Sequence, residues 1–168
     1  MNSAFFLNIV RFFVLILIQV TLFNNIQIFG YISPYPYILF IILYPISGNR
    51  YSLIFLSFLL GLTIDAFGNS GGIHAAACLV LAYYRNNLLK LSFGLSSEYQ
   101  NIKVAYSSLK EQLLFVSFSV ILHHLILFSL EAFSFTLMGD VLLKTLLSGS
   151  FTVIFSVLII NLFKSSKK

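Results

Sequence analysis

Residues 61–72 read Gly61-Leu62-Thr63-Ile64-Asp65-Ala66-Phe67-Gly68-Asn69-Ser70-Gly71-Gly72, with a strongly apolar run on each side. The stretch puts the Asp65 carboxylate at or inside the edge of a membrane. An ionisable side chain there is costly, so it marks a functional position by default. The glycines that follow let the chain turn tightly and let helices approach closely. Gly61, Asp65, Gly68, Gly71, Gly72 and His74 are the candidate structural and partner-contact residues of this element.

Composition extends the reading to the whole chain. Of 168 residues, 59% are hydrophobic and 9% charged, at a mean hydropathy of +0.97. A soluble domain carries about 25% charged residues. Each spanning helix consumes about 20 apolar residues, and no stretch is long and polar enough for a separate soluble domain. The expectation is one all-α integral membrane domain over 1–168. The net charge of +5 reads as membrane orientation, because Lys and Arg mark cytoplasmic loops, and not as a nucleic-acid surface. Cys78 is the single cysteine, which leaves no disulfide framework and no metal knuckle. It is expected as a small buried side chain.

Six apolar segments follow: about 4–23, 31–47, 51–67, 72–89, 113–135 and 141–163. The first is read as a retained helix, since Asn24-Asn25-Ile26-Gln27 follows it in place of a small-residue cleavage site. Pro34, Pro36 and Pro45 bracket or kink the second. With the N-terminus inside, the cytoplasmic side holds Arg50, Arg85, Lys90, Lys103, Lys110, Lys164, Lys167 and Lys168. The connections 24–30, 68–71 and 136–140 hold no Lys or Arg. This is the positive-inside pattern, and it predicts six spans with both termini cytoplasmic. A five-span arrangement would put the basic tail outside.

The remaining polar features are weighed against packing. Tyr31, Tyr35, Tyr37, Tyr44, Tyr51, Tyr83 and Tyr84 fall near predicted segment ends, where amphipathic rings are at home. Leu95, Tyr99, Ile102, Tyr106, Leu109 and Leu113 recur at helical steps, predicting a helix over 95–112 that lies on the membrane surface or extends the fifth span. Asn8, Arg11 and Gln19 share one face of the first segment. Arg11 there either snorkels to the inner interface or belongs to a polar seam turned toward the bundle or another protein. His124 and Glu131 are seven apart and available to pair, but Asp65, His74, His123, His124 and Glu131 are too scattered for a recognisable metal set. No nucleophile elbow, HExxH or phosphate-cradling loop occurs, so no catalytic residue, metal or cofactor is expected.

Three stretches then carry a resemblance: Asn8-Ile9-Val10-Arg11-Phe12-Phe13 with Gln19; Asn25-Ile26-Gln27-Ile28-Phe29-Gly30-Tyr31-Ile32-Ser33-Pro34-Tyr35; and Gly61 to Phe67 through Gly71-Gly72-Ile73-His74-Ala75-Ala76-Ala77. In these, and in length and segment number, the chain resembles the MreD family of rod shape-determining proteins in its Bacteroidota form. The resemblance is dense to residue 85 and thin after Leu95. It implies a non-enzymatic subunit of the elongasome in the bacterial inner membrane. The implied partners are MreC directly, RodA with its penicillin-binding transpeptidase, and MreB indirectly, with peptidoglycan synthesis and cell shape as the outcome. It also implies a bundle similar to the six-helix substrate-binding subunits of energy-coupling-factor vitamin transporters. Such a transporter subunit is the alternative function, with Asp65, Asn69, Ser70, His74 and Glu131 as the polar groups of its outer pocket. The early Arg85-Asn86-Asn87 departs from the family pattern and puts the inner end of the fourth helix in question.

Overall fold

The computed structural model describes residues 3–26, 32–94 and 103–164, with side chains from residue 6 onward. The described residues form helices joined by short turns. These are α1 (Ser3–Thr21), α2 (Leu39–Ile42), α3 (Arg50–Gly68), α4 (Ile73–Phe93), α5 (Leu109–Ala132) and α6 (Met138–Leu162). Four stretches are long and apolar enough to cross a membrane: Phe6–Asn25, Arg50–Gly68, Leu109–Ala132 and Phe135–Leu162. Successive long helices pack as neighbours, α3 on α4, α4 on α5 and α5 on α6, and α1 lies against α3 and α2.

Lipid tails are as apolar as leucine, so burying leucine adds little here; close packing and polar satisfaction hold membrane helices together. Accordingly, α6 turns Thr145, Ser148, Gly149, Thr152 and Ser156 inward, while Leu142, Leu146, Ile154 and Leu158 are exposed. On α5 the buried face runs Gln112, Phe115, Val116, Ser119, Val120, His123, His124, Leu127 and Phe128, the spacing of a helix stripe.

The second segment departs most from expectation. Within it only a 3₁₀ turn, Pro36–Ile38, and the four residues of α2 are helical. At 1.5 Å per residue these seven residues reach about 11 Å, well short of the roughly 30 Å hydrocarbon core. Instead of facing lipid, Tyr37 to Ile42 are buried, each at 1% exposure or less. Irregular backbone at membrane depth is tolerated only inside protein, with its polar groups satisfied. Here the Ser33 N–H donates to Ser148 Oγ (3.2 Å) and the Tyr35 N–H to Thr152 Oγ1 (3.1 Å), both on α6. The prolines explain the break: Pro36 begins the 3₁₀ turn and Pro45 follows the end of α2. Tyr37 is accordingly an interior residue and does not mark a segment end.

The fourth segment runs on past the expected Leu89 to Phe93, through Arg85-Asn86-Asn87. Asn86 and Asn87 point outward while Arg85 is tucked beneath the helix. The predicted helix over 95–112 is interrupted: Leu95, Tyr99 and Ile102 lie outside the described residues, and Val104–Tyr106 is an isolated 3₁₀ turn. A new helix starts at Leu109 behind a capping box, in which Ser108 Oγ accepts from the Glu111 N–H and the Glu111 carboxylate accepts from the Ser108 N–H. That reciprocal cap stops the apolar stripe from continuing as one helix, and Tyr106 and Leu109 are exposed.

Candidate functional site

The turn between α3 and α4 is built by residues with left-handed backbone. Asn69 closes α3 at φ 49°, and Gly71 and Gly72 follow at φ 69° and 95°. Glycine takes that conformation without the steric cost of a Cβ. The N–H groups of Asn69 and Ser70 both donate to the Asp65 carbonyl. Gly72 then occupies the N-cap of α4, but it has no side chain to cap with.

Asp65 supplies the missing cap from the preceding helix. Its Oδ1 accepts from the His74 N–H (3.1 Å) and its Oδ2 from the Ala75 N–H (2.8 Å). Those are the second and third residues of α4, the positions whose N–H groups an N-cap side chain ordinarily satisfies. Oδ1 also accepts from Ser70 Oγ (2.5 Å) and His74 Nδ1 (2.9 Å). One carboxylate thus ends α3 through its main chain and begins α4 through its side chain. A negative group is well placed at a helix N-terminus, where the macrodipole is positive. The tight turn that the glycines predict does form, and the main-chain donors to the carboxylate lie beyond it, in the first turn of α4.

Gly61 sets how closely the two helices approach. A Cβ at Gly61 would lie 2.5 Å from Ala75 Cα and 2.5 Å from the His74 carbonyl oxygen. The facing side of α4 is small, with Ala75, Ala77, Cys78 and Ala82 buried. Gly68 meets nothing tight, and its added Cβ would be 3.5 Å from Ser70 Oγ.

His74 connects this hairpin to a cleft. Its Nδ1 faces the acceptor Asp65, which places the ring proton there and leaves Nε2 as the acceptor of a neutral ring. Tyr35, Asn69, Ser70, Gly71, His74 and Glu131, with apolar side chains of α4 and α5, line an open cleft of about 440 Å³. The Tyr35 ring is 5.8 Å from His74 and 5.4 Å from His124. Behind it, the Tyr37 hydroxyl is 2.9 Å from His123 Nε2. His124 does not pair with Glu131. It donates from Nδ1 to the Val120 carbonyl (2.9 Å) and meets Thr152 Oγ1 at 3.2 Å, and Glu131 pairs with Lys144 at 3.2 Å. Among the described residues, no three His, Cys, Asp or Glu side chains converge as a metal-binding group.

The two remaining candidates lie elsewhere. Gln19 is buried on α1, where its Nε2 donates to Asn24 Oδ1 (3.1 Å). Arg11 is partly buried. It turns into the bundle, where Nη1 donates to Asn8 Oδ1 (3.1 Å) and to the Leu43 carbonyl (3.1 Å). Arg85, read from the sequence as an inner-side cation and as an interruption of the fourth segment, joins it there. Its Nη2 donates to the Ile42 carbonyl (3.3 Å) and the Tyr44 carbonyl. The two guanidiniums thereby cover the last carbonyls of α2. The α6 hydroxyls were also missed, although Thr145, Ser148, Thr152 and Ser156 recur at steps of three and four residues, a signal legible in the sequence. The need for two arginines and two hydroxyls to satisfy the 32–44 backbone had no local signal, since the partners lie 32 to 117 residues away.

No family model, curated protein or solved structure matches the chain.

Proposed function

We propose that the chain is a non-enzymatic membrane subunit of a wall-elongation complex of the kind the MreD family forms. In this reading it sits in the bacterial inner membrane, contacts MreC directly and RodA with its transpeptidase, and reaches MreB through them. Both termini are cytoplasmic and the chain passes six times, the second pass being the protein-enclosed 32–44 segment and the fourth α4. The distribution of basic residues supports that topology.

The observation that carries the reading is the use made of Asp65. Its side-chain hydrogen bonds tie α3 to the turn and to the first turn of α4, so the element that carries the resemblance acts as a rigid brace. A brace of this kind suits a scaffold that must present fixed helix faces to partner helices. Copurification from cells tests it: the wild-type chain is expected to bring down MreC. Asp65→Ala is expected to lose MreC and normal rod shape while still accumulating in the membrane. Wild-type chain that retains no MreC would overturn the proposal. Reporter fusions at Lys168 and Asn69 test the topology, with cytoplasmic and periplasmic signals expected respectively.

One observation favours the transporter alternative. Asn69, Ser70 and His74 line a single cleft with Glu131, and Asp65 holds His74 from behind, so the polar groups named for an outer pocket do converge. Copurification of an ATPase module in place of MreC would select it.

A further inference from the structure

Arginines in a membrane protein normally find acidic partners or backbone carbonyls. Here none of the described arginines is ion-paired; each donates to a backbone carbonyl, and Arg11 also to Asn8 Oδ1. Besides Arg11 and Arg85, Arg50 at the start of α3 donates to the Tyr83 carbonyl (3.2 Å) and lies 5.0 Å over the Tyr83 ring. Among the described residues the Glu131–Lys144 ion pair and the Asp65–His74 hydrogen bond lie at the opposite end of the bundle. At the arginine end the described acid is Glu111, and its carboxylate is taken up by Ser108.

Carbonyls supply only partial negative charge. Arg11 and Arg85 donate to the consecutive carbonyls of residues 42–44, so two full positive charges converge on one helix end, and among the described residues neither is ion-paired. Arg85 is only 2% exposed, and its Nε is buried without a partner. Arg11 is partly exposed, and its neighbours one turn away on α1, Leu7 and Val14, are exposed and apolar. A group that reaches Arg11 therefore arrives alongside lipid-facing side chains. That environment matches a phospholipid, its acyl chains along α1 and its headgroup at the guanidinium. Basic pockets between membrane helices bind acidic headgroups in this way.

We propose that the Arg11–Arg85 junction at the end of α2 is a binding site for the phosphate of an acidic phospholipid, with Arg11 as the lipid-facing donor and Arg85 as the charge behind it. The inference is independent of the proposed function and of which leaflet the site faces. The lipid completes the charge balance of α2, the element least able to span the bilayer by itself.

The test uses the full chain in detergent, given phosphatidylglycerol or phosphatidylcholine. Bound lipid is read by native mass spectrometry and stability by the thermal exposure of Cys78, the single and fully buried cysteine. Each cation near an acidic headgroup favours it by about fivefold. The expected result is a preference for phosphatidylglycerol of at least that size and a matching rise in melting midpoint. Arg11→Gln should bring the preference close to parity, whereas Lys90→Gln, an equal charge change on the exposed side of α4, should leave it intact. Arg11→Lys keeps a point charge for phosphate and should retain most of the preference, which separates loss of binding from loss of folding. Equal retention of the two lipids would overturn the proposal. So would an equal loss in Lys90→Gln, or full replacement of the lipid effect by inorganic phosphate, which would show a free-anion site.

Discussion

The two ends of the bundle solve the same problem with opposite charges. At the Asp65 end an acid meets the N–H groups that open α4. At the Arg85 end two bases meet the carbonyls that close α2. Each arrangement complements the partial charge of a helix terminus. They differ in reach. Asp65 draws its donors from residues five, nine and ten positions away, within one hairpin. The arginines bridge separations of 32 to 43 residues and join α1, α2 and α4. The first end is a local motif, and the second exists only once the bundle has assembled.

The largest effect is expected from Asp65→Ala. It leaves the His74 and Ala75 N–H groups without their acceptor and removes the shared partner of Ser70 and His74, at a cost of about 3 to 5 kcal/mol. Thermal exposure of Cys78 in detergent should show it as a large drop in midpoint. Asp65→Asn is expected to fall between the two, because both carboxylate oxygens accept main-chain N–H groups and an amide keeps one acceptor. It therefore does not cleanly separate charge from bracing. If Asp65→Ala melts like wild type, the hairpin is not held by its acid and the contrast between the ends fails.

Gly61→Ala should follow, at about 3 kcal/mol, because backbone of α4 stands where the new methyl would go and overpacking forces the helices apart. Disulfide trapping between cysteines placed across α3 and α4 should slow in this variant. An unchanged trapping rate would mean that the close approach at Gly61 is not maintained.

Arg85→Met should cost less, about 1 to 2 kcal/mol in neutral lipid. The carbonyls of Ile42 and Tyr44 lose their donor, but the expense of a buried charge is also removed. A loss as large as that of Asp65→Ala would show that the two ends contribute equally. The smallest effect is expected from Lys144→Ala. Its pair with Glu131 is about one-third to one-half exposed, and such pairs contribute roughly 0 to 1 kcal/mol. A shift beyond that range would mean the cleft beside Glu131 is more enclosed than its geometry indicates.

The helical, membrane-embedded character of the chain was legible from composition and from the length of the apolar runs, because a bilayer demands both regardless of the partner packed alongside. The Asp65 hairpin was legible too, since an acid followed by Asn69, Gly71 and Gly72 encodes a turn within a dozen residues. The prolines of the second segment signalled a break in the helix, but whether the chain then faces lipid or the bundle was decided by tertiary structure. Its apolar composition is equally compatible with a lipid-facing helix and with a chain buried in the bundle. What separates the two is whether its free N–H and carbonyl groups find partners, and those partners stand on α1, α4 and α6. The sequence likewise left Arg11 between snorkelling and a polar seam, and gave Arg85 no partner; only the bundle brings the carbonyls of residues 42–44 within their reach. Hydropathy records the preference of each side chain for lipid; a main-chain carbonyl is identical at every position, so its need for a donor appears only in three dimensions.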